Sequence, residues 1–205
     1  MIAIIDYGVG NLFSLQSSFG ALNVETVVSG DRHVLEKADK LVLPGVGAFR
    51  DAADKLFSSG LASFVRERAS LGTPLLGICL GMQLLFERSY EYGCYDGLAL
   101  LHGEVRPIAE TIPGGLKIPH IGWNALSYPQ SKAKHPLFAE LNDHPYVYFV
   151  HSYHAVNCED STIASTEYGA PLTAAVACKN VMGCQFHPEK SGDAGLSILR
   201  AFSTM

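Results

Sequence analysis

Pro74-Leu75-Leu76-Gly77-Ile78-Cys79-Leu80-Gly81-Met82-Gln83-Leu84-Leu85-Phe86 reads as strand, tight turn and helix. Pro74 opens a short apolar run of strand type, glycines flank a cysteine, and good helix formers follow. Gly77-x-Cys79-x-Gly81 is the thiol version of a nucleophile elbow, in which the reactive side chain stands on a strained turn and small neighbours let backbone and substrate approach. Cys79 is expected at the tip of that turn. The free N–H groups and positive dipole end of a helix beginning near Leu80 favour negative charge on the sulfur. Alone, a cysteine between glycines is more often a small buried hydrophobe than a nucleophile. Its meaning depends on a second segment, Gln185-Phe186-His187-Pro188-Glu189.

Around these two stretches lie 205 residues, 48% hydrophobic and 17% charged, enough for one well-buried core and too few for two ordinary enzyme domains. A single domain over residues 1–205 is expected. A net charge of -5 and a pI near 5.9 give no electrostatic reason to expect nucleic acid or an anionic membrane as partner. The start, Met1-Ile2-Ala3-Ile4-Ile5-Asp6-Tyr7, lacks the basic residues of a signal peptide, and no apolar run approaches the ~20 residues that span a bilayer. A cytoplasmic protein is expected. Cys79, Cys94, Cys158, Cys178 and Cys184 form an odd set without CxxC spacing, which argues for reduced thiols and against a structural zinc. No metal and no cofactor is expected.

The first ninety residues alternate strand and helix. Ile2 to Ile5 is an apolar run suited to a strand buried on both faces, ended by Gly8-Val9-Gly10-Asn11. Leu12, Leu15, Phe19 and Leu22 recur at helical spacing. Strands are expected at Val24 to Val28 and Lys40 to Leu43, the latter ending at Pro44-Gly45-Val46-Gly47-Ala48-Phe49. From about Arg50 to Ala69, Ala53, Leu56, Phe57, Leu61, Phe64 and Val65 make the stripe of one surface helix. The order predicts an α/β fold, an open and mostly parallel sheet flanked by helices, with the loops after its strands gathered along one edge.

After Gly97 the segments shorten and carry more Gly, Pro and aromatics. Leu98 to Val105, Gly122-Trp123-Asn124 and Tyr146 to Val150 suggest added antiparallel strands in the C-terminal half. Leu172 to Cys178 and Val181 to Phe186 suggest a hairpin turning at Lys179-Asn180, which would deliver His187 to a strand end. A last helix is expected from about Asp193 to Phe202.

In His187-Pro188-Glu189, proline biases its predecessor to extended backbone, where residues two apart project to the same side. Glu189 could then take one imidazole N–H of His187 and fix the tautomer offered to Cys79, the nucleophile, base and orienter arrangement of acyl transfer. Neither half of this pattern is specific alone. Together they are. The loop Pro44-Gly45-Val46-Gly47 follows a predicted parallel strand on the same sheet edge. Its backbone N–H groups, at Val46 and Gly47, with that of Leu80, could stabilise an oxyanion, at roughly 3 kcal/mol per donor in other enzymes.

At this point the residues resemble a family, the class I (triad-type) glutamine amidotransferases. Gly-Ile-Cys-Leu-Gly-Met-Gln at 77–83 and the later His-Pro-Glu carry the likeness. Ile5-Asp6-Tyr7-Gly8-Val9-Gly10-Asn11, Leu43-Pro44-Gly45-Val46-Gly47-Ala48-Phe49, His120-Ile121-Gly122-Trp123-Asn124, Phe149-Val150-His151-Ser152-Tyr153 and Phe186-His187-Pro188-Glu189-Lys190-Ser191 resemble the glutaminase subunits of imidazole glycerol phosphate synthases. The resemblance spans nearly the whole chain. It implies the family's glutaminase fold, L-glutamine as substrate, and Cys79, His187 and Glu189 as the triad. It also implies that Gln83 and Glu91 hold the substrate's α-amino end, and that backbone near Gly47, Ser152 and Tyr153 takes its carboxylate and carbonyl. A (β/α)8 cyclase is the implied partner, in a heterodimer contacted by Asn11, Ser14, Trp123 and Lys190. Three rivals are weaker: a glutaminase of the anthranilate or pyridoxal phosphate synthase type, against which the segments at 44–49 and 120–124 speak; a non-catalytic binding subunit on the same fold, against which the intact Cys79, His187 and Glu189 count; and a metal hydrolase using His151 and His154, whose i, i+3 spacing and lack of a nearby carboxylate cluster complete no site.

Overall fold

The computed structural model describes residues 1–131 and 133–205. The N-terminal half runs β1 (Ile2–Ile5), α1 (Leu12–Ala21), β2 (Thr26–Ser29), α2 (Arg32–Leu35), β3 (Lys40–Leu43), α3 (Phe49–Ser58), α4 (Leu61–Ser70), β4 (Leu75–Ile78) and α5 (Leu80–Gln83). Then follow β5 (Arg88–Ser89), β6 (Tyr95–Asp96), β7 (Glu104–Pro107), β8 (His120–Ser127), β9 (Tyr146–His151), β10 (Tyr153–Val156), β11 (Thr162–Glu167), β12 (Pro171–Cys178), β13 (Val181–Cys184) and α6 (Gly192–Thr204).

Among the described residues, one sheet has the order β2-β1-β3-β4-β13-β12-β11-β8-β9 and a smaller one the order β10-β7-β5-β6. Pairing is parallel from β2 through β13 and antiparallel from β13 to β9. The expected fold class therefore holds. β1 explains why its sequence shows no polar alternation: Ala3 and Ile5 join the core under α3 and α4, while Ile2 and Ile4 join the core under α1 and α6. Burying one such large side chain stabilises the fold by ~1.5–3 kcal/mol.

Four local expectations change. The helix read over Arg50 to Ala69 is two helices, because Gly60 takes a left-handed φ of 78° and breaks the ladder while the apolar stripe runs on across the break. The helix after Cys79 lasts only from Leu80 to Gln83, since the Leu84, Leu85 and Phe86 carbonyls accept from the N–H groups of residues 98–101 instead. That same loop occupies most of the strand expected at Leu98 to Val105, leaving only β7 at Glu104–Pro107. The strand expected at Val24 to Val28 begins at Thr26. The hairpin of β12 and β13 forms with Cys178 opposite Val181, and Lys179 supplies the positive φ of the turn, 53°.

Candidate active site

Cys79 stands between β4 and α5 with φ 54° and ψ -111°, a strained conformation for any residue with a Cβ. Its neighbours show why glycines surround it. A Cβ on Gly81 would lie 1.9 Å from the Leu43 carbonyl oxygen, and one on Gly77 would lie 2.7 Å from the Gly81 oxygen. The elbow is thus pressed onto the end of β3. The Cys79 N–H donates to the Cys184 carbonyl at 2.7 Å, tying the elbow to the end of β13.

Past that end, the chain reaches His187. Its N–H donates to the Tyr148 carbonyl at 3.0 Å, and its carbonyl accepts from Ser191 Oγ at 2.6 Å. His187 Nδ1 lies 2.8 Å from Glu189 Oε1, with both side chains almost wholly buried. His187 is extended as the following proline predicts, with φ -100° and ψ 99°, but the extended backbone does not continue through Glu189. Pro188–Lys190 is a 3-10 turn, and this turn brings the carboxylate back to the imidazole. Burial opposes charge on His187, but hydrogen bonds to Cys79 and Glu189, and the charges of both, outweigh it and raise its pKa to about 9. A protonated imidazole beside a sulfur is a ready proton donor to a leaving amine.

Cys79 and His187 open onto a cleft of about 280 Å³ whose walls include Val46, Gly47, Leu80, Gln83, Glu91, Ser152 and Tyr153. The sequence-expected residues therefore converge, with Glu189 packed behind the cleft. Gly47 has φ 89° and open space where a Cβ would point. Glu91 accepts from the Phe49 N–H at 2.6 Å, serving the first turn of α3, whose N-cap Ala48 offers no side-chain acceptor. Burial raises the Glu91 pKa against that bond. Gln83 Nε2 donates to the Tyr153 carbonyl at 3.2 Å and to Gln185 Oε1 at 3.0 Å.

A family model described as "Glutamine amidotransferase class-I" matches residues 3–204. The chain belongs to the class-I glutamine amidotransferase family. It is 48% identical over 206 residues to "Imidazole glycerol phosphate synthase subunit HisH" of Sulfurimonas denitrificans, covering 99% of this chain and 97% of that protein. To the subunit of the same name from Lactococcus lactis it is 50% identical over 202 residues, covering 98% and 96%. A crystal structure titled as a glutamine amidotransferase shares the fold at TM-score 0.75 and 19% identity, over 98% of both chains.

In this amidotransferase the sequence reading missed two residues beside the thiol. Gln185, fully buried, reaches Cys79 Sγ with its Nε2 at 3.8 Å. Tyr7 donates its hydroxyl to the Pro44 carbonyl at 2.7 Å, pinning the base of the loop that carries Val46 and Gly47. Burial, then the nearby Cys79, pushes the Tyr7 phenol upward. Tyr7 carried a signal only as part of the Ile5 to Asn11 motif, and Gln185 as the start of the His187 segment. His151 lines the cleft, but His154 turns to Thr111 Oγ1 at 2.8 Å. Among the described residues no group of three or more His, Cys, Asp or Glu side chains is placed to hold a metal ion. Of the expected interface residues, Asn11 caps α1 by accepting from the Ser14 N–H, Trp123 is 55% exposed on β8, and Lys190 is exposed.

Proposed function

We propose that this glutaminase hydrolyses L-glutamine to glutamate and ammonia with Cys79 as nucleophile, His187 as proton carrier and Glu189 as its orienter. The observation that carries the reading is the meeting of Cys79 with the His187–Glu189 pair at one cleft. The Cys79 sulfur attacks the side-chain amide carbon, and the oxyanion so formed rests on backbone N–H groups of Val46, Gly47 and Leu80. His187 gives its proton to the departing nitrogen, the C–N bond breaks, and a γ-glutamyl thioester remains. His187 then takes a proton from water, the hydroxide adds to the thioester, and the C–S bond breaks to release glutamate. Gln83, Glu91, Ser152 and Tyr153 hold the amino-acid end of glutamine, for which a half-buried carboxylate at Glu91 suits an α-ammonium.

The whole chain acts as one glutaminase domain, the subunit of an imidazole glycerol phosphate synthase in histidine biosynthesis, in the cytoplasm. Near neutral pH, ammonia in water is largely protonated and no longer nucleophilic, so it is best passed on directly. The acceptor site lies in a (β/α)8 cyclase subunit, which uses the ammonia to make imidazole glycerol phosphate and AICAR. Asn11, Ser14, Trp123 and Lys190 meet that partner in a heterodimer. Support comes from a cluster of placements: α1 and β9 both pack on the Pro188–Lys190 turn, Trp123 stacks edge-on with Tyr148 of β9, and Phe13 and Trp123 leave large apolar rings in solvent.

Co-purification with the cyclase, followed by glutamine hydrolysis with and without the cyclase's ligand, tests this reading. Faster hydrolysis with ligand is expected; equal rates would remove the activation by the partner, and failure to associate would remove the heterodimer. Cys79→Ala should abolish turnover while circular dichroism stays unchanged, and residual hydrolysis in that variant would remove Cys79 as nucleophile.

A further inference from the structure

A directed hydrogen-bond chain runs from β8 to the glutamine cleft. His120 opens β8, His151 closes β9, and the two face each other in the antiparallel register. His151 Nδ1 lies 2.9 Å from the Tyr153 carbonyl, which can only accept, so Nδ1 carries the proton and Nε2 is an acceptor. His120 Nδ1 is 3.0 Å from that Nε2 and must be its donor. His120 Nε2 is then an acceptor itself, facing Asn124 Nδ2 at 3.5 Å. Burial lowers the His120 pKa to about 4 and, with the nearby histidines and against the Tyr153 bond, that of His151 to about 3, so both rings are neutral near pH 7. The Tyr153 carbonyl takes a second hydrogen bond from Gln83, whose partner Gln185 reaches Cys79.

We infer that His120 is a positioning residue for glutamine binding: acting through His151, it holds the Tyr153 carbonyl and with it the Ser152–Tyr153 wall of the cleft. His120 itself does not line the cleft. Its ring stacks between Phe149 at 4.8 Å and Tyr168 at 4.1 Å, a packing role that phenylalanine could fill. What phenylalanine lacks is the donor. Without it, His151 Nε2 is a buried acceptor without a partner, and the ring is free to turn away from Tyr153. Ser152 links β9 to β10; its carbonyl accepts from the Ile108 N–H at 2.9 Å and Tyr153 lies opposite Pro107 of β7, which has no N–H to give, while the Tyr153 carbonyl accepts from the side chains of His151 and Gln83. The proposal rests on the glutaminase reading above.

Two substitutions separate donor from ring. His120→Phe keeps the stack and loses the N–H; His120→Asn loses the stack and keeps an N–H near the Nδ1 position. Glutamine hydrolysis by each full chain, paired with the cyclase subunit, is expected to show KM raised about tenfold in His120→Phe, as the loss of one buried hydrogen bond implies. The kcat should change little, and His120→Asn should recover most of the KM. The opposite order, with His120→Phe like the unsubstituted protein and His120→Asn impaired, would overturn the proposal in favour of packing alone. Nitrogen NMR of the unsubstituted chain gives a readout independent of turnover: both histidines should carry their proton on Nδ1, and a proton on Nε2 of His151 would also overturn it. If the unsubstituted chain hydrolyses no glutamine with the cyclase, the glutaminase reading fails and takes this proposal with it; activity with an unchanged His120→Phe KM overturns the proposal alone.

Discussion

Cys79 is held at a φ of 54° and ψ of -111°, where a Cβ costs about 1–3 kcal/mol. The elbow tolerates this strain because the Cys184 carbonyl, the end of β3 and the close-set glycines fix the turn from three sides. Glycine at 79 would relieve it. Cys79→Gly should therefore be more stable to urea than Cys79→Ala by about 1–2 kcal/mol, although both lack the thiol. Equal midpoints and slopes would show that the turn is not strained. Gly81→Ala should lose several kcal/mol or fail to fold, because its Cβ would sit within 2 Å of the Leu43 oxygen at 1.9 Å. These residues were legible in the sequence because an elbow is local: the small neighbours, the thiol and the strand-helix change are all within one short stretch. His187 and Glu189 were legible for the same reason, though by a tight turn rather than the extended backbone expected. Tyr7, Gln185 and His120 were not assigned roles, because each acts on a partner brought near only by the sheet.

At the level of elements, the loop between β3 and α3 is tethered at both ends by side chains from elsewhere: Tyr7 holds Pro44, and Glu91 holds Phe49. Between those tethers, Gly47 is free to rotate its peptide at small steric cost. Tyr7→Phe removes one tether and leaves the ring in place. We expect a fall of about tenfold in glutamine turnover with a stability loss of only about 1 kcal/mol, read by steady-state kinetics and urea unfolding. An unchanged kcat would mean that Pro44 needs no such anchor. Gly60 supplies a contrast far from the chemistry. Its positive φ, with open space around it, predicts that Gly60→Ala costs about 1 kcal/mol and leaves kinetics untouched. The break there was hidden because Leu61, Phe64 and Val65 continue the apolar stripe of α3 onto α4; periodicity records which face is buried and says little about where the backbone stops hydrogen-bonding. The short α5 was hidden for the complementary reason. Its sequence suits a longer helix, and only the loop at 98–101 claims the carbonyls.

Across the whole molecule, the alternating pattern of the N-terminal half made the parallel sheet readable, whereas the short C-terminal strands take their partners from distant segments. The histidines give the fold a pH signature. His120, His151 and His154 have pKa values lowered by burial to about 4, 3 and 4 from an ordinary 6.5. The unfolded chain thus binds protons that the folded one refuses, and stability falls as pH drops from about 6.5 towards those values. His187 has the opposite sign: its contribution is intact below about 6.5 and is lost as pH rises through about 9. Urea midpoints measured across pH should peak near neutrality, with a shallower acid limb in His120→Asn; a flat acid limb would contradict the burial of three neutral imidazoles. A final consequence follows from β13, which comes last among the strands in sequence yet lies mid-sheet between β4 and β12. During synthesis on the ribosome, a growing chain that already displays its thiol must wait for this insertion before the His187 imidazole can reach it, so under the proposed mechanism incomplete products would stay inert towards glutamine.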